Sequence, residues 1–61
     1  MTVKEFIKKW NIDESSMRIY DMELEDEIWR TYEMSKYYGC EVVNAYPHNG
    51  DTVLQVRSIN R

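Results

Sequence analysis

The chain has 61 residues and a mass of 7.4 kDa, which accommodates one small domain, residues 1–61, and excludes a second. Hydrophobic residues make up 43% and charged residues 31%, the composition of a globular rather than a disordered protein. Eight basic and eleven acidic residues give a net charge of −3, which argues against a general polyanion binder.

The number of cysteines and the length of the apolar runs indicate the cellular compartment of the protein. The single cysteine, Cys40, cannot form an internal disulfide, so a reducing compartment is expected. No apolar run is long enough for a membrane span or for the core of a signal peptide. We therefore expect a cytoplasmic protein with no membrane partner.

The first twelve residues predict an amphipathic helix. Thr2 and Glu5 have the spacing of a capping box, so the helix is expected to begin at Val3. Asn11, which tolerates a left-handed backbone, is expected to end it after about nine residues. The apolar residues that recur with helical spacing, and so form one stripe toward the sheet, are Val3, Phe6, Ile7 and Trp10.

Residues 17–32 fit two patterns. Four residues have the spacing of a helix face: Met17, Tyr20, Leu24 and Ile28. The first part of the segment also alternates as a strand does, so periodicity alone does not decide. We favour two strands, 17–21 and 27–31, because β-type residues flank an acidic stretch. The residues then expected in the core, including the tryptophan of the helix, are Met17, Ile19, Trp29 and Trp10.

The C-terminal third predicts a β-hairpin. Asn49-Gly50 is the strongest short-range hairpin signal, and the β-rich runs 40–46 and 52–59 flank it. The expected pairs are Tyr46 with Val53, Ala45 with Leu54, Val43 with Val56, and Val42 with Arg57. Alternation along the strands then places four residues on the core face: Val43, Ala45, Leu54 and Val56.

Between the two strand pairs, residues 32–38 predict a short helix that stops at Gly39. The element order is therefore helix, strand, strand, short helix, strand, strand. This order predicts the α+β class, as a two-layer sandwich whose N-terminal helix packs on a four-stranded, mainly antiparallel sheet.

The sheet face that the helix leaves uncovered is one candidate site. The residues expected there are Arg18, Tyr20, Arg30, Tyr46, Gln55 and Arg57. Arginines interleaved with tyrosines combine phosphate-pairing cations with stacking rings, as in sheets that bind single-stranded nucleic acid. A second copy of the chain is the alternative occupant, since a short chain buries little surface alone. We rate homo-oligomer formation, as a dimer or larger, above nucleic-acid binding.

The densest charged segment is a second candidate site. Its five acidic residues are Asp21, Glu23, Glu25, Asp26 and Glu27. Paired carboxylates can hold Mg²⁺ or Ca²⁺, but the spacing matches no EF-hand loop, and such a run is more often a solvated turn. It can also imitate nucleic-acid phosphates and occupy a basic groove on a DNA- or RNA-handling protein. We take these residues as a partner-binding site, with no metal and no cofactor.

Catalytic chemistry is not indicated. A nucleophile needs an activating base, and the single histidine, His48, lies in the expected hairpin turn, far from Cys40. Thiolate zinc sites need several cysteines and histidines, which the chain lacks. We therefore predict that the protein is not an enzyme.

Several segments can be compared with known groups of proteins: the opening MTVKEFIKKW, the IYD strand with its acidic turn, EIWR, and EVVNAY with DTVLQV. Together they resemble a group of very short proteins encoded by phages and mobile elements of gut Firmicutes. Some members of that group are anti-CRISPR proteins. The resemblance implies an accessory factor that modulates a host defence or nucleic-acid-handling system, and it assigns no residue a role.

We therefore predict a non-enzymatic binding protein whose partner is a host protein, such as a nuclease or a nucleic-acid-handling complex. The alternatives are an oligomeric nucleic-acid binder that uses the uncovered sheet face, and an interaction module with no role in defence.

Overall fold

Local sequence signals set most of the element boundaries. The computed structural model describes residues 1–57. Its elements in chain order are α1 (Val3–Trp10), a 3₁₀ turn (Glu14–Ser16), β1 (Met17–Asp21), β2 (Asp26–Ile28), α2 (Thr31–Met34), a second 3₁₀ turn (Ser35–Tyr37), β3 (Val42–His48) and β4 (Asp51–Val56). The α+β class and the two strands within residues 17–32 are confirmed.

Helix α1 is bounded as its sequence predicts. The Thr2 hydroxyl accepts a hydrogen bond from the Glu5 amide at 3.2 Å, and the Glu5 carboxylate accepts one from the Thr2 amide at 2.9 Å. Asn11 ends the helix in the left-handed conformation, with φ 52° and ψ 49°. The Ile12 amide then donates to the Ile7 carbonyl, which turns the chain back toward the sheet.

The four strands form one sheet in the order β2-β1-β4-β3. The β1–β2 and β3–β4 pairs are antiparallel and the central β1–β4 pair is parallel, so the sheet is mixed but mainly antiparallel. The buried core on one face consists of Val3, Met17, Ile19, Met34, Tyr37, Leu54 and Val56. No helix within residues 1–57 has the length and apolar character needed to cross a membrane.

The hairpin turn is as predicted, but its register changes near the start of β3. Asn49 and Gly50 both have positive φ, and Tyr46 pairs with Val53 as expected. A bulge between Val42 and Asn44 then brings Val42 opposite Val56. The predicted pairs of Val43 with Val56 and of Val42 with Arg57 are therefore wrong, because the extra residue reverses which side chain faces the core.

The start of β3 is fixed in this register by the N-terminus. The Val42 amide donates to the Met1 carbonyl at 2.9 Å, and Thr2 forms a bridge to Glu41. Val42 consequently packs against the core, while Val43 points outward and is 47% exposed.

Both tryptophans lie outside the core, contrary to the prediction. Trp10 is 60% exposed and Trp29 is 58% exposed. Trp10 is the last residue of α1, and Ile12 packs on the core in its place. Trp29 follows β2, which ends at Ile28 rather than at residue 31 because α2 begins early. Residues 58 and 59 of the predicted last strand lie outside the described residues.

Val56 and Val43 offer a matched test of the bulged register. Val56→Ala should lower the free energy of unfolding by about 2 kcal/mol, because it removes fully buried methyl groups and leaves a cavity. Val43→Ala should change it by less than about 0.5 kcal/mol, because that side chain is exposed. Urea denaturation followed by far-ultraviolet circular dichroism measures both values. Equal losses of unfolding free energy in the two variants would contradict the bulged register.

Candidate functional site

The face of the sheet opposite the helices, called here the open face, holds four of the six residues predicted for it. Arg18 and Tyr20 alternate along β1, and Gln55 of β4 lies opposite Tyr20. Val53 of β4 pairs with Arg18 of β1 on one side and with Tyr46 of β3 on the other. Tyr46 therefore lies on the same face as Arg18. The open face thus presents polar and tyrosine side chains around a buried valine.

The other two residues predicted for the open face are not in the sheet. Arg57 directly follows the end of β4, two residues after Gln55. Arg30 precedes α2 as its N-cap residue and is exposed. The prediction that Arg30 belongs to the open face is wrong, because the second strand ends two residues before it.

Arg18 is already neutralised by two carboxylates. Its Nη1 lies 2.8 Å from Glu27 Oε1, and its Nε lies 3.0 Å from Asp51 Oδ2. The hydrogen bonds to these carboxylates raise the pKa of the guanidinium. Two carboxylates thus offset the charge of Arg18 and occupy its Nε and Nη1 donors, which weakens its attraction for the phosphates of a nucleic acid.

Arg30 instead belongs to an exposed aromatic cluster. Its guanidinium carbon lies 5.0 Å from the centroid of the Trp29 ring, and Nη1 donates to the Tyr32 hydroxyl at 3.3 Å. Both rings are largely exposed, Trp29 by 58% and Tyr32 by 65%. The prediction that Trp29 packs in the core is wrong because β2 ends one residue before it.

Asp21, the first of the five predicted acidic site residues, is a buried structural group. Its side chain is 1% exposed. Oδ1 accepts hydrogen bonds from the amides of Glu23 and Leu24 at 3.0 and 3.1 Å, and Oδ2 accepts one from the Tyr37 hydroxyl at 2.8 Å. Asp21 is therefore too buried to serve as a partner-binding residue, and its hydrogen bonds shape the turn that follows it.

The turn between β1 and β2, residues 22–25, is called here the acidic turn. Besides the bonds to Asp21, the Met22 amide donates to the Val56 carbonyl at 2.8 Å and the Glu23 amide to the Arg57 carbonyl at 3.0 Å. Glu25 has a φ of 54°, a left-handed value that closes the turn. The turn backbone is thus held by hydrogen bonds from β1 and from the end of β4.

The acidic turn presents apolar as well as charged side chains. Leu24 is 66% exposed and Met22 is 42% exposed, and Glu23 and Glu25 are exposed beside them. Asp26 follows at the start of β2, exposed, and its carboxylate accepts a hydrogen bond from the Glu27 amide. Sequence reasoning missed Met22 and Leu24, although the alternation of apolar and acidic residues in MELE was visible.

Exposed apolar side chains are concentrated in one segment. Among residues 1–57, eight large apolar side chains are exposed, and four of them lie in residues 22–32: Met22, Leu24, Trp29 and Tyr32. This segment includes β2, which is an edge strand of the sheet. Half of the exposed large apolar side chains of the described residues therefore lie in the segment that contains β2.

Groups suited to catalysis or to metal binding are not brought together. In the part of the chain that the structure describes, no three His, Cys, Asp or Glu side chains converge as metal ligands. Cys40 precedes β3 and His48 ends it, so the thiol and the imidazole lie at opposite ends of a seven-residue strand. Each is therefore well beyond hydrogen-bonding reach of the other.

Comparison with known proteins gives no relative. The chain matches no family model, no curated protein sequence and no solved structure.

The buried bond between Tyr37 and Asp21 can be tested by removing its hydroxyl. Tyr37→Phe should lower the free energy of unfolding by about 1–3 kcal/mol, because it leaves a buried carboxylate oxygen without its donor. Tyr32→Phe is the matched control and should change it by less than about 0.5 kcal/mol, because Tyr32 is exposed. Urea denaturation measures both. An unchanged free energy of unfolding in Tyr37→Phe would show that this bond does not stabilise the turn.

Alkaline pH should destabilise the fold through two tyrosines. Burial and the hydrogen bond to Asp21 raise the pKa of Tyr37 from 10.0 to about 12. Burial and the hydrogen bond to Glu14 also raise the pKa of Tyr38 to about 12. The native state holds both protons more tightly than the unfolded chain, so this stabilisation is complete below pH 10 and is lost as the pH rises through 12.

The measurement is the urea midpoint as a function of pH, together with the ultraviolet absorbance of phenolate. Between pH 10 and about 12 the wild-type protein should lose stability steeply, and the Tyr37→Phe/Tyr38→Phe variant should lose less. Tyr46→Phe is the control, because its ring is exposed. Equal pH profiles for all three proteins would overturn the assignment.

Proposed function

We propose that this chain is a non-enzymatic protein-binding module that docks the acidic turn onto a basic, apolar-lined surface of a partner. The observation that carries the proposal is the presentation of Leu24, 66% exposed, between exposed glutamates on a backbone held by buried Asp21. A large exposed apolar side chain within a charged rim is the arrangement of a binding interface.

The hydrogen bonds within the turn favour binding because they reduce its entropic cost. Four backbone amide bonds, two to the Asp21 carboxylate and two to the end of β4, fix residues 22–24 before any partner arrives. A preorganised loop loses less conformational freedom on association than a mobile one. Leu24 and Met22 can therefore act as anchors while Glu23 and Glu25 steer the encounter.

The chemistry of the turn also defines the class of partner. Three exposed carboxylates, Glu23, Glu25 and Asp26, lie within four residues and form no ion pair among residues 1–57. Surfaces that bind nucleic acid are basic and would attract them. We propose a nucleic-acid-handling host protein as partner, and the resemblance to phage and mobile-element proteins supports a role in modulating host defence.

The test compares affinities of one partner for matched variants. A partner captured on the immobilised chain is purified, and its binding is measured by calorimetry. Leu24→Ala should weaken binding by about tenfold or more, as expected for an anchor residue. The double variant Glu23→Gln/Glu25→Gln should slow association and reduce its salt dependence. Duplex DNA should compete with the chain if the partner groove normally holds nucleic acid.

Val43→Ala is the control for Leu24→Ala. Val43 is also exposed, but it lies on β3, at the opposite edge of the sheet from β2. It should leave the affinity unchanged. Equal losses for the two variants, or full affinity of Leu24→Ala, would exclude the acidic turn as the docking surface.

A further inference from the structure

Among residues 1–57, no strand lies beside the outer edge of β2. β2 lies at the end of the sheet order and pairs only with β1. The strand ends at Ile28, but Arg30 still has an extended backbone, with φ −85° and ψ 132°. The free edge of β2 is Asp26–Ile28, and Arg30 lies two residues beyond it with an extended backbone, before its carbonyl accepts the first amides of α2.

The charges along this edge are self-complementary. An antiparallel copy related by a two-fold axis at Ile28 would place Ile28 opposite itself, Glu27 opposite Trp29, and Asp26 opposite Arg30. Because alternate residues share a face, Asp26 and Arg30 of the second copy would lie side by side. The two-fold axis makes this pair occur twice.

The Arg30 guanidinium contacts the Trp29 ring and the Tyr32 hydroxyl of its own chain, and the antiparallel pairing would add a carboxylate to these contacts. Asp26 and Arg30 are exposed, and neither takes part in an ion pair among residues 1–57. Arg18, in contrast, is bound to two carboxylates. A parallel arrangement of two β2 edges would place Asp26 opposite its own copy, so the charges favour the antiparallel one.

We propose that two copies of the chain pair antiparallel through their β2 edges, joining two four-stranded sheets into one of eight strands. The interface combines two Asp26–Arg30 ion pairs with the exposed rings of Trp29 and Tyr32. It replaces the open face as the predicted oligomer surface. It engages Asp26, one of the three exposed carboxylates, in the dimer contact and leaves Met22, Glu23, Leu24 and Glu25 exposed, so each dimer presents two acidic turns for the proposed partner.

Charge reversal tests the two-fold arrangement without any partner protein. Sedimentation equilibrium should give a concentration-dependent mass that approaches twice 7.4 kDa for wild type. Asp26→Arg and Arg30→Asp should each weaken the dimer by about tenfold or more, because each makes both ion pairs repulsive. The doubly exchanged variant Asp26→Arg/Arg30→Asp should recover it.

Mixing the two single variants supplies the sharpest result. A two-fold axis pairs both arginines of one variant with both aspartates of the other, so the mixture should form a heterodimer although neither variant dimerises alone. Glu23→Arg and Lys36→Glu are the controls, because they change the charge equally outside residues 26–30. Their self-association should match wild type.

Three outcomes would overturn the proposal. One is a wild-type mass of 7.4 kDa at every concentration. The second is dimerisation of Arg30→Asp as strong as that of wild type, with circular dichroism showing that the variant is folded. The third is a mixture of the two single variants that stays monomeric. None of these depends on the acidic turn, so the proposed function is judged separately.

Discussion

The buried carboxylate of Asp21 is the constraint on which much of this small fold depends. It receives two amide hydrogen bonds from the turn and one from the Tyr37 hydroxyl. A buried carboxylate is costly unless its oxygens are satisfied, so these donors have to stay in place. Asp21 thereby connects the end of the central strand β1, the turn, and the 3₁₀ segment that covers the core.

That connection explains how a chain of 61 residues keeps a defined surface. Tyr37 and Met34 supply the core volume that exposed Trp10 and Trp29 do not. Tyr37 can fill this position because its hydroxyl reaches Asp21 while its ring stays apolar. The tryptophans are thus left for the surface, where side chains of this type contribute most to binding.

The sequence predicted the elements better than the side chains they expose. Capping and turn signals are local, so the start of α1 and the Asn49-Gly50 turn follow from a few neighbouring residues. The bulge at Val43 depends on pairing between the N-terminus and Glu41, which periodicity does not encode. One added residue was enough to exchange Val42 and Val43 between core and solvent.

The acidic cluster illustrates the same limit at the candidate site. Composition identifies five acidic residues between β1 and β2, but it does not separate their roles. Asp21 is buried and stabilises the fold, and Glu27 forms an ion pair with Arg18 on the neighbouring strand. Only these long-range contacts, from residues 9 to 16 positions away, distinguish them from their neighbours.

What is left of the cluster is a smaller and more specific surface. Asp21 is buried and Glu27 is paired with Arg18, so three of the five carboxylates, those of Glu23, Glu25 and Asp26, are exposed without an ion pair among residues 1–57. They lie next to Leu24 and Met22 in the chain. Charge alone attracts any basic surface and is weakened by salt, whereas an exposed leucine also requires a matching apolar pocket. Under the proposed function, the apolar residues that composition overlooked carry the selectivity, because the partner has to offer both features to a turn whose backbone is already fixed.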